Sequence, residues 1–197
     1  MTPELRAIAD RFIYEQATLK HMTALAPEEA LRRPVVGLEW DVAQLLGHLG
    51  SSLSGYAGLV RGWLFGVPVA DGVNPGEMDA GTAARFSGAT RLDVTQVLGQ
   101  GLVDLFAALS AVPDERLSEA FGEETALETL RSFGEHCLGH AIALVDALPE
   151  VRMDPLVLNW LLDAEFEDEA SQAWQRALLA EAQEYIASHP DEDEEDE

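Results

Sequence analysis

The chain has 197 residues, 47% of them apolar, so it is long enough for one hydrophobic core and too short to favour two full domains. Its formal net charge of -24 argues against nucleic-acid binding, because that binding depends on Lys and Arg side chains neutralising phosphates. No apolar run approaches the roughly 20 residues of a membrane span, and the single cysteine, Cys137, suits a reducing compartment. We therefore expect a cytoplasmic protein without a membrane or nucleic-acid partner.

The first predicted element is an amphipathic helix that follows Thr2 and Pro3, residues typical of a helix cap and first turn. Its apolar residues recur at spacings of three and four: Leu5, Ile8, Phe12, Ile13 and Leu19. We expect it to end near Leu25, because Pro27 can open a short turn and Pro34 and Gly37 then break the chain.

A second helix is predicted over about 39–65, with one apolar stripe of Val42, Leu45, Leu46, Leu49, Leu53, Tyr56, Val60 and Leu64. Four glycines lie in it, at 47, 50, 55 and 58, and each weakens a helix by about 1 kcal/mol relative to Ala. Close helix packing is the first explanation, and room for a ligand is the second. The aperiodic stretch 66–81 predicts a long loop, either a lid over a site or simply a mobile connection.

A third helix is predicted over about 90–111 and ends before Pro113, and a fourth over about 124–148 ends before Pro149. No alternating, strand-like run is present. We therefore predict an all-α four-helix bundle over residues 1–153.

The remaining chain is predicted as an acidic extension. Asp154 and Pro155 are typical of a helix cap and first position, and no Gly or Pro follows before Pro190, which predicts one long helix within 154–189. Residues 154–197 hold 15 of the 36 acidic residues and one of the 12 basic ones. The all-acidic end predicts a disordered tail over 190–197, and the extension either covers the bundle or widens a dimer interface.

Three of the five histidines are candidate metal ligands. His136 and His140 are four residues apart, so one helical face carries both rings about 6 Å apart, and His48 can add a third ligand from the second helix. His48 lies roughly 120° from the centre of its apolar stripe, counting about 100° per residue. The alternative is three partly buried, hydrogen-bonded histidines.

The residues next to His136 limit which reactions and which further ligands the site can have. No glutamate follows it, as a zinc metalloprotease helix would require for its general base. Glu135 points about 100° away from the histidine face, and Cys137 belongs to the apolar stripe. For the free ring nitrogens, Glu135, Asp41 and Ser52 are weak candidate acceptors.

Two sequence segments carry a family resemblance. Residues 37–42 (GLEWDV) and 45–49 (LLGHL) resemble the DinB-like proteins and the N-terminal domain of mycothiol-dependent maleylpyruvate isomerases. Thr129, Leu130, Glu135, His136 and His140 are similar to the family's fourth helix, whose two ligands are four residues apart and complete a triad with the earlier histidine. The resemblance covers roughly residues 4–149.

The resemblance implies a four-helix bundle, often a homodimer, that binds zinc, nickel or a similar divalent metal through His48, His136 and His140. The isomerase branch has a glutamate as second ligand, whereas His136 matches the DinB-like branch. The implied activity is thiol transfer, isomerisation or hydrolysis on a small-molecule substrate, with a low-molecular-weight thiol as a further reactant. The alternative is a non-catalytic, stress-associated binding or interaction module with the same fold.

Overall fold

The computed structural model describes residues 1–66, 81–166 and 168–188. Helices make up almost all of its regular structure, which confirms the predicted all-α class. The six named α-helices are α1 (Pro3–Leu25), α2 (Val42–Leu64), α3 (Arg91–Ser110), α4 (Ala126–Ala147), α5 (Pro155–Leu162) and α6 (Glu169–Ser188). Residues 81–84 are also helical, and the loop predicted over 66–81 lies mostly outside the described residues.

The first four helices form the bundle: α2 packs against α3 and α4, and α1 packs against α3 and α4. Two clusters of buried side chains fill it, one around Leu45, Leu46 and Leu144 and the other around Phe12, Leu53 and Leu105. Val157 and Leu161 of α5 and Leu178 of α6 belong to the first cluster. The acidic extension therefore covers the bundle and shares its core.

Glycines allow α2 and α3 to approach closely. A Cβ added at Gly101 of α3 would collide with the carbonyl oxygen of Gly50 in α2, and one added at Gly50 would lie 2.8 Å from the backbone nitrogen of Leu98. Close packing thus explains Gly50, and Gly47 lies against the ring of Phe86. At Gly55 and Gly58 an added Cβ meets no atom of the described residues within 4 Å, so no close contact among those residues accounts for these two glycines.

The prediction of one long helix in the extension is wrong. The extension forms two helices: α5 ends at Leu162 and α6 begins at Glu169. The amide of Gln175 in α6 donates to the carbonyl oxygens of Leu161, Leu162 and Ala164, which satisfies the end of α5. Asp168 then accepts from the backbone N–H of Ser171 at the start of α6. These contacts between two elements end α5 without any Gly or Pro.

Two smaller findings complete the fold. A two-stranded antiparallel hairpin, β1 (Ala120–Phe121) and β2 (Glu124–Thr125), precedes α4 and turns at Gly122, whose φ of 76° favours glycine. Such short strands leave no alternating pattern in the sequence. Helix α3 is, by length and composition alone, apolar enough to cross a membrane, but it packs against α1 and α2 within the bundle.

Candidate metal centre

His48 is held in place by a well-capped helix. The Asp41 side chain accepts from the backbone N–H of Gln44, and the Gln44 side chain accepts from the backbone N–H of Asp41, which forms a capping box at the start of α2. His48 follows two turns into the helix and is 1% exposed, although it lies at the border of the apolar stripe. Helix α4 and Trp40 cover that border.

The other two histidines come from α4, which begins with a second capping box between Thr125 and Glu128. His136 and His140 are one turn apart with their ring centroids 5.1 Å from each other, and both are half-buried. The predicted pairing of these two rings on one helical face is confirmed.

The three imidazoles converge on one point. His48 Nε2 and His136 Nε2 are 2.9 Å apart, and the His48 ring centroid lies 4.9 Å from that of His136 and 5.6 Å from that of His140. One nitrogen of each ring can be chosen so that all three lie within 4.8 Å of one another. Tetrahedral ligands on zinc, with bonds of about 2.0–2.1 Å, are roughly 3.3 Å apart, so small ring rotations suffice to fit one ion.

The donor set fits a divalent transition metal. Neutral imidazole suits zinc, nickel, copper and iron alike, so the residues do not choose among them. Three protein ligands also leave one or two coordination positions for a substrate, which is the pattern of catalytic rather than structural zinc sites. The geometry is therefore that of a possible three-histidine metal site with an open side.

Aromatic rings and one hydroxyl surround the histidines. Trp40 packs against His48 and His140, with centroid distances of 5.0 and 6.5 Å, and Tyr56 meets the His136 ring edge-on at 5.9 Å. Ser52 Oγ donates to the carbonyl oxygen of His48 at 2.9 Å and lies 3.4 Å from His136 Nε2. These contacts limit the rotation of the imidazoles and hold them near the convergent arrangement.

Of the weak candidate acceptors, Ser52 alone lies at the histidines. Asp41 is engaged in capping α2 and lies 3.7 Å from an Arg32 guanidinium nitrogen. Glu135 lines a surface cleft on a different side of α4. Cys137 is buried in the core, as its place in the apolar stripe predicted.

The two remaining histidines lie elsewhere. His21 Nε2 is 3.0 Å from Asp154 Oδ2, so this side chain ties α1 to the cap of α5. His189 is outside the described residues.

Sequence reasoning missed two features. Tyr56 follows His48 by eight residues and its ring meets that of His136, whereas the sequence placed it only in the apolar stripe. Glu15 and Gln16 are buried, at 2% and 0% exposure, between Phe12 and Leu19 on the inner face of α1. They follow Phe12 by three and four residues, and Leu19 follows it by seven, so the helical spacing could have identified Glu15 and Gln16 as buried polar groups.

Comparison with protein families gives a match to most of the chain. The family model described as the DinB superfamily matches residues 14–143, more than half of the 197-residue chain. The match contains His48, His136 and His140 and ends before the acidic extension. No significant match was found among curated proteins or among solved structures.

Proposed function

Because the chain belongs to the DinB superfamily, we propose that His48, His136 and His140 bind one divalent metal ion, zinc or nickel, in a site that activates a small thiol or water. The single observation that carries this proposal is the convergence of three imidazoles from two helices. A bound ion of this kind lowers the pKa of a coordinated thiol or water toward about 7, which provides a nucleophile at neutral pH.

The chain's own residues prepare the site for that ion. Burial of His48 and the contacts of Trp40 and Tyr56 hold the rings close to the required geometry, so little conformational entropy is lost when the ion binds. The Ser52 hydroxyl donates to the carbonyl oxygen of His48 and lies 3.4 Å from His136 Nε2, so its oxygen can accept a hydrogen bond from a reactant there. His136 and His140 are half-buried, which leaves this side of the site accessible to a small molecule.

We propose a small-molecule substrate and one of three reaction types: thiol transfer, isomerisation or hydrolysis. A low-molecular-weight thiol is the expected reactant in the first two. The single cysteine, which is buried, supports a cytoplasmic location. The net charge of -24 argues against nucleic-acid partners.

A homodimer is the proposed assembly. The outer side of α3 exposes three large apolar residues, Leu92, Val103 and Phe106, at 64%, 63% and 38%. Helix α3 is apolar over most of its length, and a second copy packed on this side would bury those side chains.

One observation favours the alternative, a non-catalytic binding module. A cleft of about 730 Å³ is present on the bundle, but among the described residues that line it none is one of the three histidines. Such a module would keep the fold and the metal without turnover.

The experiment is an activity screen of the metal-loaded full chain. Glutathione or cysteine with an electrophilic aryl halide reports thiol transfer, and an activated ester reports hydrolysis. We expect turnover by the wild type and by the His21→Ala variant, and loss of turnover in His140→Ala. Metal binding without turnover in every assay would instead favour the non-catalytic module.

A further inference from the structure

The Ser52 hydroxyl lies beside the histidines with its hydrogen already engaged. Ser52 is one turn after His48 on α2, and its Oγ donates to the His48 carbonyl oxygen at 2.9 Å. This bond to the preceding turn is a common one for serine inside a helix. A serine hydroxyl has one hydrogen and two lone pairs, so Ser52 Oγ presents only its lone pairs to the rest of the site. There it accepts hydrogen bonds and does not donate them.

These lone pairs border the place where an ion would bind. Ser52 Oγ is 3.4 Å from His136 Nε2 in a contact of hydrogen-bond geometry, so it lies on the outward side of that nitrogen. His48 Nε2 also meets this nitrogen, at 2.9 Å. The separation of 3.4 Å is close to the roughly 3.3 Å between neighbouring ligands of a tetrahedral zinc ion. A reactant that meets the ion therefore also meets Ser52 Oγ.

A hydrogen bond to the reactant fits Ser52 better than direct coordination does. Zinc ligands in proteins are Cys, His, Asp and Glu side chains, whereas a serine hydroxyl is neutral. Trp40 packs against the His48 ring at 5.0 Å and Tyr56 meets the His136 ring at 5.9 Å, so other sides of the cluster carry aromatic rings. In such surroundings the partner of a polar atom matters more than it does in water.

On the premise of the proposed metal site, we propose that Ser52 selects the reactant in the open coordination position. An atom that carries a hydrogen is favoured there, because it donates to Ser52 Oγ. Water is such a reactant. A thiol that has lost its proton presents a sulfur without hydrogen, and its lone pairs then face those of Oγ. Ser52 thus favours water over a small thiol and, among the three reaction types, hydrolysis.

The role of Ser52 in hydrolysis is to orient the water. One O–H of the water is held at Oγ, which fixes the direction of the oxygen lone pairs toward the substrate. The water oxygen bonds to the electrophilic atom of the substrate, the bond to the leaving group breaks, and the two hydrogens of the water go to the two products. Ser52 takes no proton, since its own hydrogen stays on the His48 carbonyl oxygen.

The test is a ligand titration of the Co²⁺-loaded full chain followed by visible absorption, which requires no turnover. Azide has no hydrogen, whereas the ionised nitrogen of trifluoromethanesulfonamide keeps one. In Ser52→Ala we expect azide to bind roughly 3- to 10-fold more tightly and the sulfonamide roughly 3- to 10-fold more weakly, the range for one neutral hydrogen bond. The thiolate of 2-mercaptoethanol should change in the same direction as azide.

Ser54→Ala is the matched control. Ser54 lies on the same helix, and its Oγ donates to Asp104 Oδ2 of α3 at 2.9 Å. We expect this variant to leave both affinities unchanged. A site that is merely enlarged would bind both probes more tightly or both more weakly, so opposite changes in Ser52→Ala identify the hydrogen bond. Unfolding midpoints verify that both variants are folded.

Two results would overturn the selection by Ser52 and leave the metal site standing. One is a change of the same sign, or no change, for both probes in Ser52→Ala. The other is loss of Co²⁺ from Ser52→Ala in elemental analysis, which would make Ser52 a ligand. A wild type that binds no Co²⁺ would instead refute the metal site itself and, with it, the selection.

Discussion

The contact between α2 and α3 allows one stability prediction to be worked out from the structure. Gly101→Ala adds a methyl group that would overlap the carbonyl oxygen of Gly50. A backbone oxygen cannot rotate out of the way as a side chain can, so the two helices must separate. Gly50 follows His48 by two residues, and the same separation would disturb the histidine site.

The expected magnitude is the sum of two opposed effects. Overpacking of a tight interior contact destabilises by about 1–3 kcal/mol or more, and Ala in place of Gly inside a helix contributes about 1 kcal/mol of stability. Because the clash involves backbone, we place overpacking at or above the top of its range and expect a net loss of about 2–3 kcal/mol. For a chain of this size that lowers Tm by roughly 4–12 °C.

Gly58→Ala is the matched control. Gly58 also lies inside α2, is exposed, and would place its Cβ near no atom of the described residues. We expect Tm to rise by roughly 2–4 °C from helix propensity alone. Thermal unfolding followed by far-UV circular dichroism measures both variants. Equal or higher stability of Gly101→Ala relative to wild type would refute the close contact between α2 and α3.

Three further predictions follow from the core, the extension and a helix cap. The folded pKa of Glu15 is raised to about 7, so ionisation destabilises the fold as pH rises from 4.5 through 7. The free energy of unfolding of wild type should therefore fall by about 3 kcal/mol relative to that of Glu15→Gln as the pH rises from 4.5 to 8. A difference between the two proteins that does not change with pH would be evidence against the burial of this carboxyl. Leu161→Ala should lower the free energy of unfolding in urea by about 2–5 kcal/mol. Leu179→Ala on α6, where the side chain is 43% exposed, should lower it by under about 1 kcal/mol. Equal losses would mean that α5 is not part of the core. Thr125→Ala removes the cap of α4 and should cost about 1 kcal/mol by the same assay, and unchanged stability would contradict the capping box.

The sequence predicted most of the bundle because local chemistry determines it. Apolar residues at helical spacing identified α1 to α4, and the starts predicted near residues 90, 124 and 154 lie within two residues of the observed bounds. The same periodicity placed His136 and His140 on one face. These features depend on residues fewer than eight positions apart, so the sequence alone contains them.

Contacts between distant residues were less predictable. Counting along α2 left His48 at the edge of its stripe, but α4 and Trp40 bury it to 1% exposure. Gln175 ends α5 from another helix, which no local pattern of Gly or Pro could reveal. The close approach at Gly50 depends equally on a partner, Gly101, far along the chain.

The central claim is that His48, His136 and His140 form one metal site, and elemental analysis tests it most directly. The chain is expressed without an affinity tag, reconstituted with Zn²⁺ or Ni²⁺, dialysed, and compared with His136→Ala/His140→Ala and with His21→Ala, which removes a histidine outside the cluster. We predict near-stoichiometric metal in wild type and His21→Ala and its loss in the double variant. Metal retained by the double variant, or none bound by the wild type after reconstitution, would contradict the account.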